Sequence, residues 1–118
     1  MKTDREFLEL AARAAGYKVR WHERWECFVH VNPHNISNPP TMAGQRQVWV
    51  PLDDDGDALR LAVKLQLMIN IDIDGALVEM QVKDDNAWAS EFAHDGDLYA
   101  ATRRAIVRAA ASIGEQMK

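Results

Sequence analysis

A single cysteine, Cys27, stands in the whole chain, which excludes an internal disulfide framework and fits a reducing compartment. Glycine is scarce and scattered; the six glycines are isolated, so there is neither a P-loop nor a dinucleotide-binding fingerprint. No apolar run approaches the length of a membrane span. The segment Met1 to Glu9 carries five charges and no apolar centre, so no signal peptide is expected in it. Serine is limited to Ser37, Ser90 and Ser112, and none sits in a nucleophile elbow. Cys27 falls within an alternating apolar run, which argues for packing rather than thiolate chemistry. These absences set aside the secreted, membrane and disordered classes. They leave a non-enzymatic protein as the expectation, with no catalytic, cofactor-binding or metal residue assigned and no cofactor required.

What remains is the composition of an ordinary globular domain, 118 residues with 47% hydrophobic and 27% charged. A chain of this length makes one compact domain and buries roughly two-thirds of its unfolded surface without a metal or disulfide. The net charge of −4 is unevenly distributed. Residues 1–30 carry six basic and five acidic side chains, a balance of +1. The balance is −2 over 31–60, −6 over 61–97 and +3 over 98–118. A nucleic-acid duplex binder presents a dominant basic footprint, and this acidic middle opposes one.

Thr3-Asp4-Arg5-Glu6 reads as a capping box that opens a helix over residues 4–15, with Phe7, Leu8, Ala11, Ala14 and Ala15 as its apolar stripe and Gly16 as its left-handed stop. Tyr17, Val19 and Trp21 then alternate with polar residues, and Trp25, Cys27, Val29 and Val31 resume the alternation after a short connection. This predicts an antiparallel hairpin. Residues 32–45 hold three prolines, three asparagines and Gly44, so an irregular surface loop is expected there. Gln47 to Val50 reads as a short strand stopped by Pro51. A second helix is expected over 57–68, burying Ala58, Leu61, Ala62 and Leu65. Ile69, Ile71 and Ile73 alternate with polar residues up to Asp74-Gly75, the pair favoured in two-residue hairpin turns, and Val78, Met80 and Val82 return. Ala87 to Phe92 reads as an edge strand. The last helix is expected over 97–116, burying Leu98, Ile106, Ala109, Ala110, Ile113 and Met117, with Arg103, Arg104 and Arg108 off that face. The expected fold is a single α+β domain over 1–118, in the order α-β-β-β-α-β-β-(β)-α. Its sheet of about five or six mostly antiparallel strands is covered by three helices, as in an α-β-α sandwich. The alternation predicts that Ile69, Ile71, Ile73, Val78 and Met80 are buried beneath the last helix.

Several groupings invite a chemical reading. Asp53, Asp54, Asp55 and Asp57 suit a hard cation, but capping of a helix N-terminus explains them. Asn70 to Gly75 resembles the start of an EF-hand loop, yet Gln81 stands where the bidentate Glu is required. Cys27, His30 and His34 have zinc-like spacing, but Cys27 and His30 point to opposite faces of one strand and nothing places His22 or His94 as a fourth ligand; the simpler reading is a core cysteine beside surface histidines. Of Trp21, Trp25, Trp49 and Trp88, two or three are expected in the core; an exposed one could stack on a base. Arg104 and Arg108, one turn apart, could grip a phosphate or a partner's carboxylates, or simply form a solvated face.

Three stretches carry a resemblance: Asp4 to Gly16, Trp49 to Ala62 (Trp-Val-Pro-Leu-Asp-Asp-Asp-Gly-Asp-Ala) and Ala100 to Ala111. Together they resemble small uncharacterised tailed-phage and prophage proteins. These have an N-terminal helix, a tryptophan hairpin, a W-x-P-L-x-D-D-x-D-A helix and an Ala/Arg-rich last helix. In layout the chain is also similar to the NinX-like phage proteins and the phage α-β-α sandwich domain. It departs from that pattern at Val50, where Asn is usual, and in the long 32–45 loop. The resemblance implies a virus-encoded accessory protein of the bacterial host cytoplasm, and supplies no catalytic residue. The expected role is binding a host or phage protein, with His34, Ile36 and Met42 in the loop and Arg103, Arg104 and Arg108 on the last helix as contact candidates. Oligomeric state stays open between monomer and homodimer. The alternative is single-stranded nucleic-acid binding through the C-terminal arginine face and an exposed tryptophan.

Overall fold

The computed structural model describes residues 2–31, 48–80, 88–93 and 96–117, with the backbone alone for Met80. Along the chain run α1 (Asp4–Ala15), β1 (Val19–His22), β2 (Cys27–His30), β3 (Val48–Trp49), α2 (Asp55–Leu65), β4 (Leu67–Asp72), β5 (Gly75–Met80), β6 (Trp88–Phe92) and α3 (Leu98–Gln116). This is the α+β order that the hydrophobic periodicities predict. All described strand pairs are antiparallel, and among the described residues the six strands divide into two three-stranded sheets, β1-β2-β3 and β4-β5-β6, rather than forming the one sheet expected. The 32–45 loop, with His34, Ile36 and Met42, lies outside the described residues, as do Val82, Asp84 to Ala87 and His94.

Helix boundaries follow local chemistry. The Thr3 hydroxyl accepts from the Glu6 backbone N–H at 3.2 Å and the Glu6 carboxylate accepts from the Thr3 N–H at 3.2 Å, closing the capping box. Those bonds hold the Glu6 carboxyl below its ordinary value. Gly16, at φ 75°, ends α1. The second helix starts two residues earlier than expected because Asp54 is its cap, accepting from the Asp57 N–H at 2.8 Å. It stops three residues earlier because Gln66 turns left-handed at φ 55°, and β4 begins at once. Asp57, buried, accepts from the Val50 N–H at 2.9 Å and from the Arg60 guanidinium at 2.7 Å. It thereby ties the end of β3 to the start of α2.

The core is built around α3, which packs on α1, α2 and the inner face of β4-β5-β6. Its buried side is made mostly of small residues: Ala101, Ala105, Ile106, Val107, Ala109, Ala110, Ala111 and Gly114. Facing it on α1 are Ala11, Ala12 and Ala15. The two backbones approach so closely that a Cβ on Gly114 would lie 1.9 Å from the Leu10 carbonyl oxygen. Trp49, Leu61, Val78 and Val107 are fully buried, each contributing about 1.5–3 kcal/mol by leaving water. Leu98 and Ile113 are half-buried and Met117 is exposed, so the stripe expected for this helix is covered along its middle only.

The sheets correct several expectations. Trp25 is not in a strand: β2 begins at Cys27, and Glu23 to Glu26 form the connection, with Glu26 left-handed at φ 51°. The His22 imidazole accepts from the Trp25 N–H at 3.1 Å and the two rings stack at 4.1 Å, leaving Trp25 exposed. β2 is the central strand of its sheet and is buried on both faces, so Phe28 and His30 lie in the interior along with Val29. His30 is therefore no surface histidine; Tyr17 and Trp49 meet it edge-on, and burial pushes its pKa below the ordinary 6.5. The β4–β5 turn is Ile73-Asp74 rather than Asp74-Gly75, because Asp72 pairs with Gly75. No left-handed residue is needed there, since the Asp72 carboxylate accepts from the Asp74 and Gly75 N–H groups at 2.8 and 3.1 Å. Gly75 is required for a different reason: a Cβ on it would sit 2.0 Å from the Glu91 carbonyl oxygen of β6. Asp72 and Glu79 face outward as the register demands, and Val78 is buried. Ile71 and Ile73, however, are 52% and 88% exposed, because α3 covers only part of this face.

Gly114→Ala should lower stability by about 1–3 kcal/mol despite the better helix propensity of alanine, since the methyl group must separate two backbones. A melting temperature equal to or above wild type would show that the α1–α3 seam yields freely. His30 generates a pH dependence. Its folded pKa is depressed, so the unfolded chain takes up the proton first. The full contribution to stability is present above about 6.5 and is lost as pH falls below that value towards the folded pKa. Thermal melts across that window should fall for wild type and stay flatter for His30→Gln.

Candidate binding groove

Three arginines nominated by the sequence project from α3, and each holds a different element. Arg103 donates from Nε to the Leu52 carbonyl at 2.8 Å and from Nη1 to the Asp55 carboxylate at 2.6 Å, fastening the start of α2. Arg104 donates to the Asp4 carboxylate at 3.0 Å, fastening α1, and lies 3.8 Å from Glu91. Arg108 pairs with Glu91 and donates to the Ser90 carbonyl at 3.3 Å, fastening β6. Glu91 is largely buried between the two guanidinium groups. The arginines thus form neither an open phosphate grip nor a freely solvated face; their charge is met within the fold.

An apolar groove of about 490 Å³ opens between α2, β4 and the N-terminal part of α3. Leu59 on α2, Ile69 and Ile71 on β4, and Leu98, Tyr99 and Ile106 on α3 form most of its lining. The sequence produces it simply. Leu59 and Val63 lie one turn apart on the side of α2 away from the buried stripe, and the inward residues of β4 run past the edge of α3. Leu59 is 58% exposed and Tyr99 71% exposed. A second depression along Leu59, Ala62, Val63, Gln66, Leu67 and Ile69 continues the apolar surface down α2. The polar members of the groove are already engaged: Asp55 with Arg103 at the rim, and the Thr102 hydroxyl donating to the Leu98 carbonyl at 2.7 Å. Such a lining holds apolar side chains. Among the described residues its lining includes no serine, cysteine or histidine.

Sequence reasoning missed this groove, although the signal was there: α2 has apolar residues at 59 and 63 outside its buried stripe, more than one packed face needs. Of the tryptophans, Trp49 is in the core and Trp21 half-buried, whereas Trp25 and Trp88 are exposed. Among the described residues no three His, Cys, Asp or Glu side chains converge as a metal set would require. No helix among them is long and apolar enough to cross a membrane. In comparisons with family models, curated proteins and solved structures, none matches this chain.

Glu91→Ala should release Arg104 and Arg108 together and cost about 1–2 kcal/mol, reduced by the partial exposure of both guanidinium groups. Leu59→Lys, on an exposed position, should stay within about 0.5 kcal/mol of wild type in chemical denaturation. The reverse ranking would mean that the groove is a structural contact and the arginine cluster is not.

Proposed function

We propose that this chain is a non-enzymatic accessory protein of a tailed phage or prophage, working in the bacterial host cytoplasm by binding a host or phage protein. The phage origin rests on the resemblance of the stretches 4–16, 49–62 and 100–111. The binding role rests on one observation, an apolar groove in which Leu59, Ile71 and Tyr99 are exposed beside half-buried Ile69 and Leu98 and the buried Ile106, and whose polar rim is internally paired. Exposing such side chains to water is costly, and a partner that covers them recovers that free energy. Nucleic-acid binding has weaker support: exposed Trp25 and Trp88 favour it, but Arg103, Arg104 and Arg108 already meet carboxylates.

The test compares wild type with a Leu59→Asp, Tyr99→Ser variant as baits in bacterial lysate. Wild type should retain a partner that, once purified, binds it directly, and the variant should lose that partner at an unchanged melting temperature. No enriched partner, or equal capture by both baits, defeats the reading. Tryptophan fluorescence quenched by oligonucleotides in a salt-sensitive manner would favour the nucleic-acid alternative instead.

A further inference from the structure

A second groove, of about 480 Å³, lies between α1 and β1 and shares no residue with the first. Four cations line it, Arg5, Arg13, Lys18 and Arg20, against the single carboxylate of Glu9. Glu9 is 3.6 Å from Arg5, and Arg13 donates to the Met117 carbonyl at 2.8 Å. Lys18 and Arg20 are exposed and form no ion pair among the described residues. The same groove runs along an open strand edge. The Val31 N–H bonds to the Lys18 carbonyl at 2.9 Å, which makes Lys18 and, two residues on, Arg20 the positions whose backbone groups pair with β2. The N–H and C=O groups of Val19 and Trp21 therefore point outward, and among the described residues no strand meets them.

We infer that this groove is a binding site for an acidic peptide segment of a partner protein, which adds in extended form to the outer edge of β1. Backbone bonds to Val19 and Trp21 supply the pairing, and carboxylates opposite Lys18 and Arg20 supply selectivity, as in other cases of strand addition. The charge balance of the groove is +3, which an acidic segment complements. A nucleic-acid strand fits less well. The Trp21 ring that would stack on a base is covered by the Arg5 guanidinium at 4.3 Å and forms a T-shaped pair with Phe28, ring centres 5.1 Å apart. The row of outward N–H and C=O groups is complementary to a peptide backbone, whereas a phosphodiester chain has no donors.

The probe is a short labelled peptide of alternating Glu and Val, titrated into the full chain at about 0.15 M salt, with its Lys-for-Glu counterpart as control. Binding of the acidic peptide should weaken at least about tenfold in Lys18→Glu, Arg20→Glu, at an unchanged melting temperature, and the control should not bind. Bound peptide should slow hydrogen exchange at the Val19 and Trp21 amides. The Leu59→Asp, Tyr99→Ser variant should bind it like wild type, so loss of the first groove's function leaves this site intact. The proposal is overturned if the acidic peptide does not bind, if binding survives the double charge reversal, or if the two amides exchange at the free rate. Tighter binding of oligothymidylate through the same residues also overturns it, in favour of a nucleic acid.

Discussion

Everything in this fold leans on the contact between α1 and α3, where Gly114 lets the α3 backbone rest against the Leu10 carbonyl. Two helices approach this closely only when the seam between them is made of glycine and alanine, and Ala11, Ala12, Ala15, Ala109 and Ala110 complete it. The consequence reaches past the pair. With α1 seated on one side of α3, the remaining small residues of α3 are free to receive β5 and β6, and α2 closes against the same helix. A larger side chain at the seam would push α1 outward and loosen the packing of Trp49 and Phe28, which share its core.

Charge reinforces what close packing begins. Arg103, Arg104 and Arg108 extend from neighbouring turns of α3 to Asp55, Asp4 and Glu91, so one helix holds three other elements through its guanidinium groups. This also redistributes the electrostatics of the surface. The basic last segment, +3 by sequence, is largely neutralised where the acidic middle and the first helix meet it. The net basic character that remains in a concave place belongs to Arg5, Arg13, Lys18 and Arg20 beside β1. The two grooves consequently differ in kind: one is apolar with a paired polar rim, and the other is cationic along a strand edge that no strand meets among the described residues.

Legibility followed the range of the interactions. The capping box at Thr3 and Glu6 and the left-handed Gly16 are each set within a few residues, and each reads directly from the chain. The inner face of β2 was not legible, because His30 is buried against Tyr17 and the distant Trp49, and Phe28 against Trp21. The candidate site was legible in pieces only. Leu59 and Val63 are apolar positions outside the buried stripe of α2, a signal present in the chain but not read from it. Their meeting with Ile71 and Tyr99 depends on where α3 stops covering the sheet.

By itself the sequence determined the order of helices and strands, the α+β class, most element boundaries to within a few residues, and the absence of familiar catalytic motifs. Periodicity and capping are sufficient for that, since both are local. The tertiary structure alone decided the division into two sheets, the interior position of His30, the burial of Asp57 and the use of three arginines as internal clamps. Those outcomes bring together groups as far apart as Asp4 and Arg104, 100 residues distant along the chain. Which carboxylate meets which guanidinium is settled by the packing that buries the most apolar surface, and no local pattern records that choice.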